Sequence, residues 1–450
     1  MRTVLPLAIV AFLSLLLSAC AGGRESAAFR EAAEVEKSLQ LPAAPEAQGG
    51  DIFFPGDSAS PNVLLDYASL HNPALQSAFS RWKSALQRVP QARALPDPLF
   101  AYRYAVQEME TPMRAEKHRL SLEQMFPWFG TLRLRGDAAL EEANMAGAMY
   151  QAARLRVFFE VKDAYYEYAY LLRAIAVMEE NVQLLRYLEE VVLAKYRAGA
   201  VPHSSLIKAQ VERDKLEDQL RSMSDMLNPV RARLNAALNR PSRAELPPPG
   251  RIPRDTVNVS EEQWIAWLQE HNPDLKASGF QIEREKFSAS LARKSYYPDI
   301  TLGVEYGILG AASSPEMRGS GKNPLMAMVG INLPIWFGKN KAAFNEARAA
   351  YQSSLQERRN RENMLLSELQ MLLYRFRDAG RREKLYREAL LPRAKQALNV
   401  TQSAFETGKV DFLDLVDAQR TYLEFQLALE RAQADCAQRL AELEMLAGRE

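Results

Sequence analysis

Residues that carry chemistry are scarce in this sequence. It has two cysteines and four scattered histidines among 450 residues. Only Cys436 remains beyond the first twenty residues, so neither an internal disulfide nor a cysteine metal site is expected. No Gly-rich phosphate loop occurs, and no spacing of Ser, His and Asp indicates a catalytic group. We therefore predict that the chain is not an enzyme and holds no cofactor or metal.

Charge excess and long apolar runs are missing as well. The formal net charge is +1 and charged residues make up 25% of the chain, which argues against nucleic acid as a partner. After residue 20, no stretch reaches the about 18 apolar residues of a transmembrane helix. What the chain does must therefore be inferred from its architecture.

The first twenty residues have the layout of a secretory signal peptide. Arg2 precedes an apolar run, and small residues lead up to Cys20. This end resembles the lipobox of bacterial lipoproteins, with Ala21 typical of cargo sorted to the outer membrane. The alternative is an ordinary signal peptide with an incidental cysteine. We expect a signal peptide at 1–19, acylation of Cys20, and a tether at 20–60 anchored in outer-membrane lipid.

The rest of the chain contains one unit that occurs twice. The recurring motifs are His71-Asn72-Pro73 and His271-Asn272-Pro273, Phe126-Pro127-Trp128-Phe129-Gly130 and Leu333-Pro334-Ile335-Trp336-Phe337-Gly338, and Tyr196-Arg197-Ala198-Gly199 and Phe405-Glu406-Thr407-Gly408. Their order is kept and their spacing is nearly constant, which indicates a duplication. The predicted first repeat is 61–246, the linker 247–259 and the second repeat 260–450.

Each repeat is predicted to run helix, β-hairpin, long helix, return helix. Residues 131–198 contain no proline and would form a helix of about 100 Å. A matching helix at 341–407 contains Pro392, which is expected to kink it. Turns near Gly199 and Gly408 lead into return helices of about 35 residues.

Alternating apolar and polar residues predict the two hairpins, at 98–126 and 298–335. Each strand is expected to have about ten residues, enough to cross a bilayer when tilted. A soluble sandwich would show the same alternation, but two hairpins flanked by helices make a poor sandwich. One face of the strands carries polar groups expected to line a water-filled lumen: Arg103, Arg119, Glu123 and Glu305. Four strands cannot close a barrel, so copies of the chain would have to share one.

The order of these elements behind a lipobox resembles the TolC-like outer-membrane efflux channel family. The stretch from Leu391 to Gln419, with Phe405, Gly408 and Asp417, is similar to the family's second tip motif. The resemblance implies a mainly α fold: a long α-helical barrel plus four β-strands per chain, completed as a 12-stranded transmembrane β-barrel in a homotrimer. It also implies a periplasmic adaptor and an inner-membrane transporter as partners. The hairpin exit near Trp128 favours the heavy-metal branch over the drug branch.

Two candidate sites lie at and just beyond the turns. Asp414 and Asp417 share one helical face, and the resemblance places an acidic gate there. The alternative to a gate is an ordinary solvent-exposed helix face. The first repeat has Ser205 and Lys208 at the positions that match Asp414 and Asp417. By resemblance, the adaptor-docking tips are Gly199, Val201, Gly408, Lys409 and Asp411. The predicted function is a passive exit duct; the alternative interpretation is a lipid-anchored periplasmic coiled-coil adaptor or scaffold without a channel.

Overall fold

The computed structural model describes residues 23–40, 60–106, 116–250, 252, 259–309 and 323–449. The predicted signal peptide, Cys20 and most of both hairpin tips lie outside these residues. The chain forms two compact units. One unit combines the N-terminal stretch to Glu34 with Ser80–Ala148 and Lys276–Arg359 and contains the sheet; the other comprises Val35–Phe79, Met149–Leu275 and Asn360–Glu450.

The same order of helices and strands occurs twice along the chain. An N-terminal helix, α1, spans Gly23–Gln40. The first series is α2 Pro61–His71, α3 Pro73–Arg93, β1 Leu99–Tyr104, β2 Glu116–Phe126, α4 Thr131–Arg197 and α5 His203–Ala237. The second is α6 Glu261–His271, α7 Pro273–Lys294, β3 Ile300–Leu309, β4 Leu325–Ile331, α8 Phe337–Leu385, a π-helical turn Tyr386–Leu390, α9 Leu391–Glu406 and α10 Phe412–Ala447. Among the described helices, none is both long and apolar enough to span a membrane.

Two of the four strands are shorter than predicted. β2 and β3 have 11 and 10 residues, but β1 has 6 and β4 has 7, so the expectation of ten for each strand is wrong for these two. The β2 register shifts between Glu116 and His118, opposite the end of β1. Beyond β4, the side chain of Asn332 accepts a hydrogen bond from the backbone N–H of Asp299, and Asn332 N donates to the Asp299 carbonyl at 3.3 Å.

The repeated Asn-Pro motif joins the start of one helix to the end of another. Asn72 Oδ1 accepts a hydrogen bond from Ala74 N at 2.9 Å, so Asn72 caps the start of α3. Its Nδ2 also donates to the carbonyl of Ala237, at the end of α5, at 2.8 Å. Asn272 repeats the arrangement: it caps α7 through Leu275 N and donates to Leu446 O at 2.9 Å. Each asparagine thereby satisfies an orphan carbonyl of a return helix.

Gly448, which ends α10, is held against this second asparagine clamp. Its φ is +75°, and a Cβ there would lie 2.5 Å from the carbonyl oxygen of His271. We expect Gly448→Ala to destabilise the protein by about 1–3 kcal/mol, because it combines backbone strain with a clash. Gly279→Ala is the matched control, since it lies inside α7 and a Cβ added there would have nothing within 4 Å. We expect thermal unfolding to show a lower midpoint for Gly448→Ala than for Gly279→Ala. Equal midpoints for the two variants would contradict the close packing of Gly448 against His271.

A π-helical turn breaks the second long helix immediately before Pro392. The turn covers Tyr386–Leu390, and α9 begins at Leu391. A proline inside an α-helix removes one hydrogen bond and its ring clashes with the preceding turn, and a widened turn relieves that clash. The structure thus has a π-helical turn directly before the proline at which a kink was predicted.

The N-terminal helix α1 was not foreseen within the stretch predicted as a tether. Ala28 and Ala32 are buried on its inner face. Arg24 pairs with the buried carboxylate of Glu141 at 2.5 Å, and Glu25 pairs with Arg93. Buried small residues and paired charges stabilise this segment as a helix, although its composition alone suggested an extended linker.

Candidate functional site

The four strands form one antiparallel sheet in the order β1-β2-β3-β4. In the register, Arg103 faces Arg119, and Ser121 faces Glu305. Since side chains alternate across a sheet, these residues share one face. The two hairpins predicted from the sequence are therefore joined edge to edge by β2 and β3.

The polar face holds all four residues predicted to line a lumen. Arg119 lies between Arg103, which has the same charge, and Glu305, which has the opposite charge. The Arg119 guanidinium is 3.3 Å from Glu305 Oε2. Glu123 lies beside Gly303, where a Cβ would approach the Glu123 side chain to 3.1 Å. The glycine thus leaves room for the carboxylate side chain between neighbouring strands.

The opposite face of the sheet is apolar and solvent-exposed. Val329 and Leu325 on β4 are each 71% exposed, and Phe100 on β1 is 64% exposed. The other exposed apolar side chains on this face are Tyr102, Tyr104, Leu122, Leu302, Val304, Tyr306 and Ile331. A continuous apolar surface of this kind marks contact with another protein or with lipid.

Two equivalent turns, 198–202 and 407–411, form the corners between long and return helices; we call them the tip. Gly199 and Gly408 have φ of +71° and +77°. In each turn the residue after the glycine donates to a carbonyl five residues earlier, Ala200 to Lys195 and Lys409 to Ala404, both at 2.8 Å. This is the Schellman pattern, which requires a left-handed residue after the helix.

Four helices pack together behind the tip. Their shared core includes Val192, Leu206, Phe405, Phe412 and Leu415, contributed by α4, α5, α9 and α10. Both turns also contribute a valine that packs against this core, namely Val201 and Val410. The tip glycines and Lys409 remain exposed, so the turns present backbone and one cation to solvent.

Asp414 and Asp417 are both exposed on α10, but their carboxylates make different contacts. Asp414 belongs to a capping box: its carboxylate accepts from Asp411 N at 3.3 Å, while Asp411 caps the helix. Within the described residues, the Asp417 carboxylate forms no hydrogen bond or ion pair. In the first repeat, Ser205 matches Asp414 and is buried at 5% exposure, and Lys208 matches Asp417. The two tips therefore differ in charge and in which side chain they expose.

An ion pair that sequence reasoning missed lies one turn beyond Asp417. Arg420 on α10 binds Glu212 on α5 through two nitrogens, with Nε 3.0 Å from Oε2. The hydrogen bond from Arg420 lowers the pKa of Glu212 below its ordinary value. The hydrogen bond to Glu212 and, to a smaller extent, the charge of Asp417 raise the pKa of Arg420.

A buried polar link also joins α4 to α10. Gln419 is 2% exposed, and its Nε2 donates to Asn181 Oδ1 at 3.1 Å. Asn181 Nδ2 donates in turn to Gln426 Oε1 at 2.9 Å. Buried amides at helix contacts fix register, because any other register leaves them unpaired. In the sequence, Gln419 was recognised only as the end of the stretch similar to the second tip motif, and no local signal indicated its partner.

The chain thus combines a four-stranded sheet that has an exposed apolar face with helices of 67 and 49 residues. The sequence profile described as outer membrane efflux protein matches the chain twice, at residues 64–240 and 264–449. The chain belongs to this family.

Individual relatives agree with this assignment. The cobalt-zinc-cadmium resistance protein CzcC of Cupriavidus metallidurans is 23% identical over 383 residues, which cover 83% of this chain and 87% of CzcC. The fold is similar to that of VceC from Vibrio cholerae, with a TM-score of 0.72, 21% identity, and coverage of 86% of this chain and 96% of VceC. It is also similar to that of the channel protein CusC, with a TM-score of 0.75, 14% identity, and coverage of 92% and 96%.

Proposed function

We propose that three copies of this chain form a passive exit duct across the outer membrane, as the outer component of a tripartite efflux pump. The observation that carries the proposal is the sheet: one exposed apolar face, one polar face, and β1 and β4 as its two outer strands among the described residues. Unpaired edges are not tolerated in lipid, so neighbouring copies have to pair them. Three copies of four strands give a 12-stranded barrel.

In this assembly the polar face lines the lumen. Arg103, Arg119, Glu123 and Glu305 would meet water, while Val329 and its neighbours would meet acyl chains. The helices α4 and α8 would extend into the periplasm. The agreement of two matches to one family profile with two series of elements supports an origin by duplication.

The tip would be the gate and the docking surface. Asp414 and Asp417 from three copies would bring six carboxylates to the axis, where they bind cations and narrow the path. The exposed positions of Asp414 and Asp417 support this role. The other tip residues, Gly199, Val201, Gly408, Lys409 and Asp411, would contact a periplasmic adaptor, which connects to an inner-membrane transporter.

Metal cations are the substrate class we propose. Two observations support it: the relative CzcC is named for cobalt, zinc and cadmium resistance, and the candidate gate is acidic. The transporter, rather than the duct, would select among cations. Acylation of Cys20 would add a lipid anchor to the barrel.

Single-channel recording in a planar bilayer tests the duct. We expect the purified protein to be a trimer by mass and to give stable, cation-preferring currents. A monomer without current would favour the lipid-anchored scaffold. Mass and current are measured on the same preparation, so that a loss of trimer is not mistaken for a closed channel.

A further inference from the structure

A cavity of about 610 Å³ lies at one end of the sheet, in the unit that contains it. Its walls are the first turn of α4, the last turns of α7 and the corner between β4 and α8. No role in the duct requires this cavity. Its lining contains both cations and aromatic side chains, a combination that points to an amphipathic ligand.

Three cations line the cavity: Arg135, Lys294 and Lys339. Within the described part of the chain, none of the three forms an ion pair. Lys294 lies near an aromatic ring instead, with its Nζ 5.7 Å from the ring centre of Tyr297. The acid in the lining, Asp299, is already engaged by Trp128 N at 2.9 Å. With three cations and one carboxylate in its lining, the cavity carries an excess of positive charge.

A buried hydroxyl without a partner lines the same cavity. Thr131 is 6% exposed, and its Oγ1 has no hydrogen-bond partner among the described residues. A buried hydroxyl left unpaired is costly, so its presence indicates a ligand atom that completes it. Thr131 and Phe337 begin the two long helices, and both N-termini add positive potential here.

The rim of the cavity is apolar and exposed. Trp336 is 72% exposed and Leu333 is 68% exposed, at the point where β4 gives way to α8. Aromatic side chains in such positions are typical of the membrane–water interface. An anion that fits this site therefore has an apolar part that lies against Trp336 and a phosphate that reaches the cations.

We propose that this cavity binds the headgroup phosphate of an anionic phospholipid, with Lys294, Lys339 and Arg135 on the phosphate and Trp336 against the acyl chains. Thr131 Oγ1 donates to a phosphate oxygen. The proposal rests on the proposed function only in that the sheet lies in a bilayer. Clusters of basic residues at the bilayer surface are a general means of binding acidic lipids.

Native mass spectrometry of the detergent-purified protein tests the site, with phosphatidylglycerol and phosphatidylcholine as probes. We expect phosphatidylglycerol to be retained preferentially, and its affinity to fall by about tenfold in Lys294→Gln/Lys339→Gln. Arg133→Gln/Lys341→Gln removes the same charge from exposed positions on α4 and α8 outside the cavity and should leave affinity unchanged. Thr131→Val, which keeps the shape of the side chain, should weaken only phosphatidylglycerol.

Equal retention of both lipids, or an equal loss in both double variants, would overturn the proposal. Displacement of the lipid by millimolar inorganic phosphate would also overturn it, since the site would then take free phosphate. Conductance is recorded in parallel, so that a conducting channel without lipid preference refutes the lipid site alone. Loss of current and of trimer would instead refute the duct.

Discussion

Replacing Asp414 and Asp417 together by asparagine is expected to abolish cation preference and to relieve block by divalent cations. Six carboxylates near one axis attract divalent cations strongly, and their removal should weaken cation binding by roughly tenfold or more. In the presence of a divalent cation, the variant should therefore pass several-fold more current than the wild type. Single-channel recording with and without the cation measures the effect.

Asparagine is chosen because Asp414 also caps its helix. After Asp414→Asn, the side-chain amide oxygen can still accept from Asp411 N, whereas alanine would remove the cap at a cost of about 1 kcal/mol. Glu180→Gln/Glu190→Gln is the control, since it removes two exposed carboxylates from α4. Equal relief of block in both double variants would show a general charge effect and dismiss the gate, while leaving the duct intact.

The second large effect is expected on the sheet. Val329→Arg places a charge on the apolar face of β4, and a charge that faces the interior of a bilayer costs about 2–4 kcal/mol. We expect the variant to insert poorly and to be lost from the outer-membrane fraction. Its amount in that fraction, relative to total protein, is the measurement.

The control is Met328→Arg, which places an arginine in the same strand but on the opposite face of the sheet. Met328 lies opposite Gly303 on the polar face, one residue from Val329. An arginine there should reach water in the lumen, so insertion should remain close to wild type. If both variants insert equally well, the apolar face does not contact lipid. If both fail to insert, β4 tolerates no arginine on either face. The apolar face is then tested with Val304→Arg on β3.

Features governed by neighbours in sequence were predictable. Asn72 and Asn272 could be recognised as caps because a polar residue before proline satisfies the first amides of a helix. Gly199 and Gly408 could be placed at turns because helices often end in a residue with left-handed backbone conformation, which glycine adopts most easily. The face shared by Arg103 and Glu305 followed from strand alternation alone.

Features that depend on distant partners were not predictable. Glu212 and Arg420 lie in different repeats, and nothing local to either residue indicates their ion pair. The same holds for Asn181 and Gln419, whose buried link requires knowing how α4 and α10 pack. The short length of β1 was also missed, because a strand ends where its pairing ends, and β1 pairs with β2 only from Leu99 to Tyr104.

The difference between the two tips has a consequence for symmetry. If three chains surround one axis, six similar corners alternate around it, but only every second corner carries the Asp414 and Asp417 pair, since Ser205 and Lys208 occupy the other positions. The ring is then three-fold rather than six-fold in charge. A partner built with true six-fold symmetry would meet two kinds of contact, and a partner that recognises charge would bind at half of the corners. Divergence after duplication would thus have encoded stoichiometry as well as a gate.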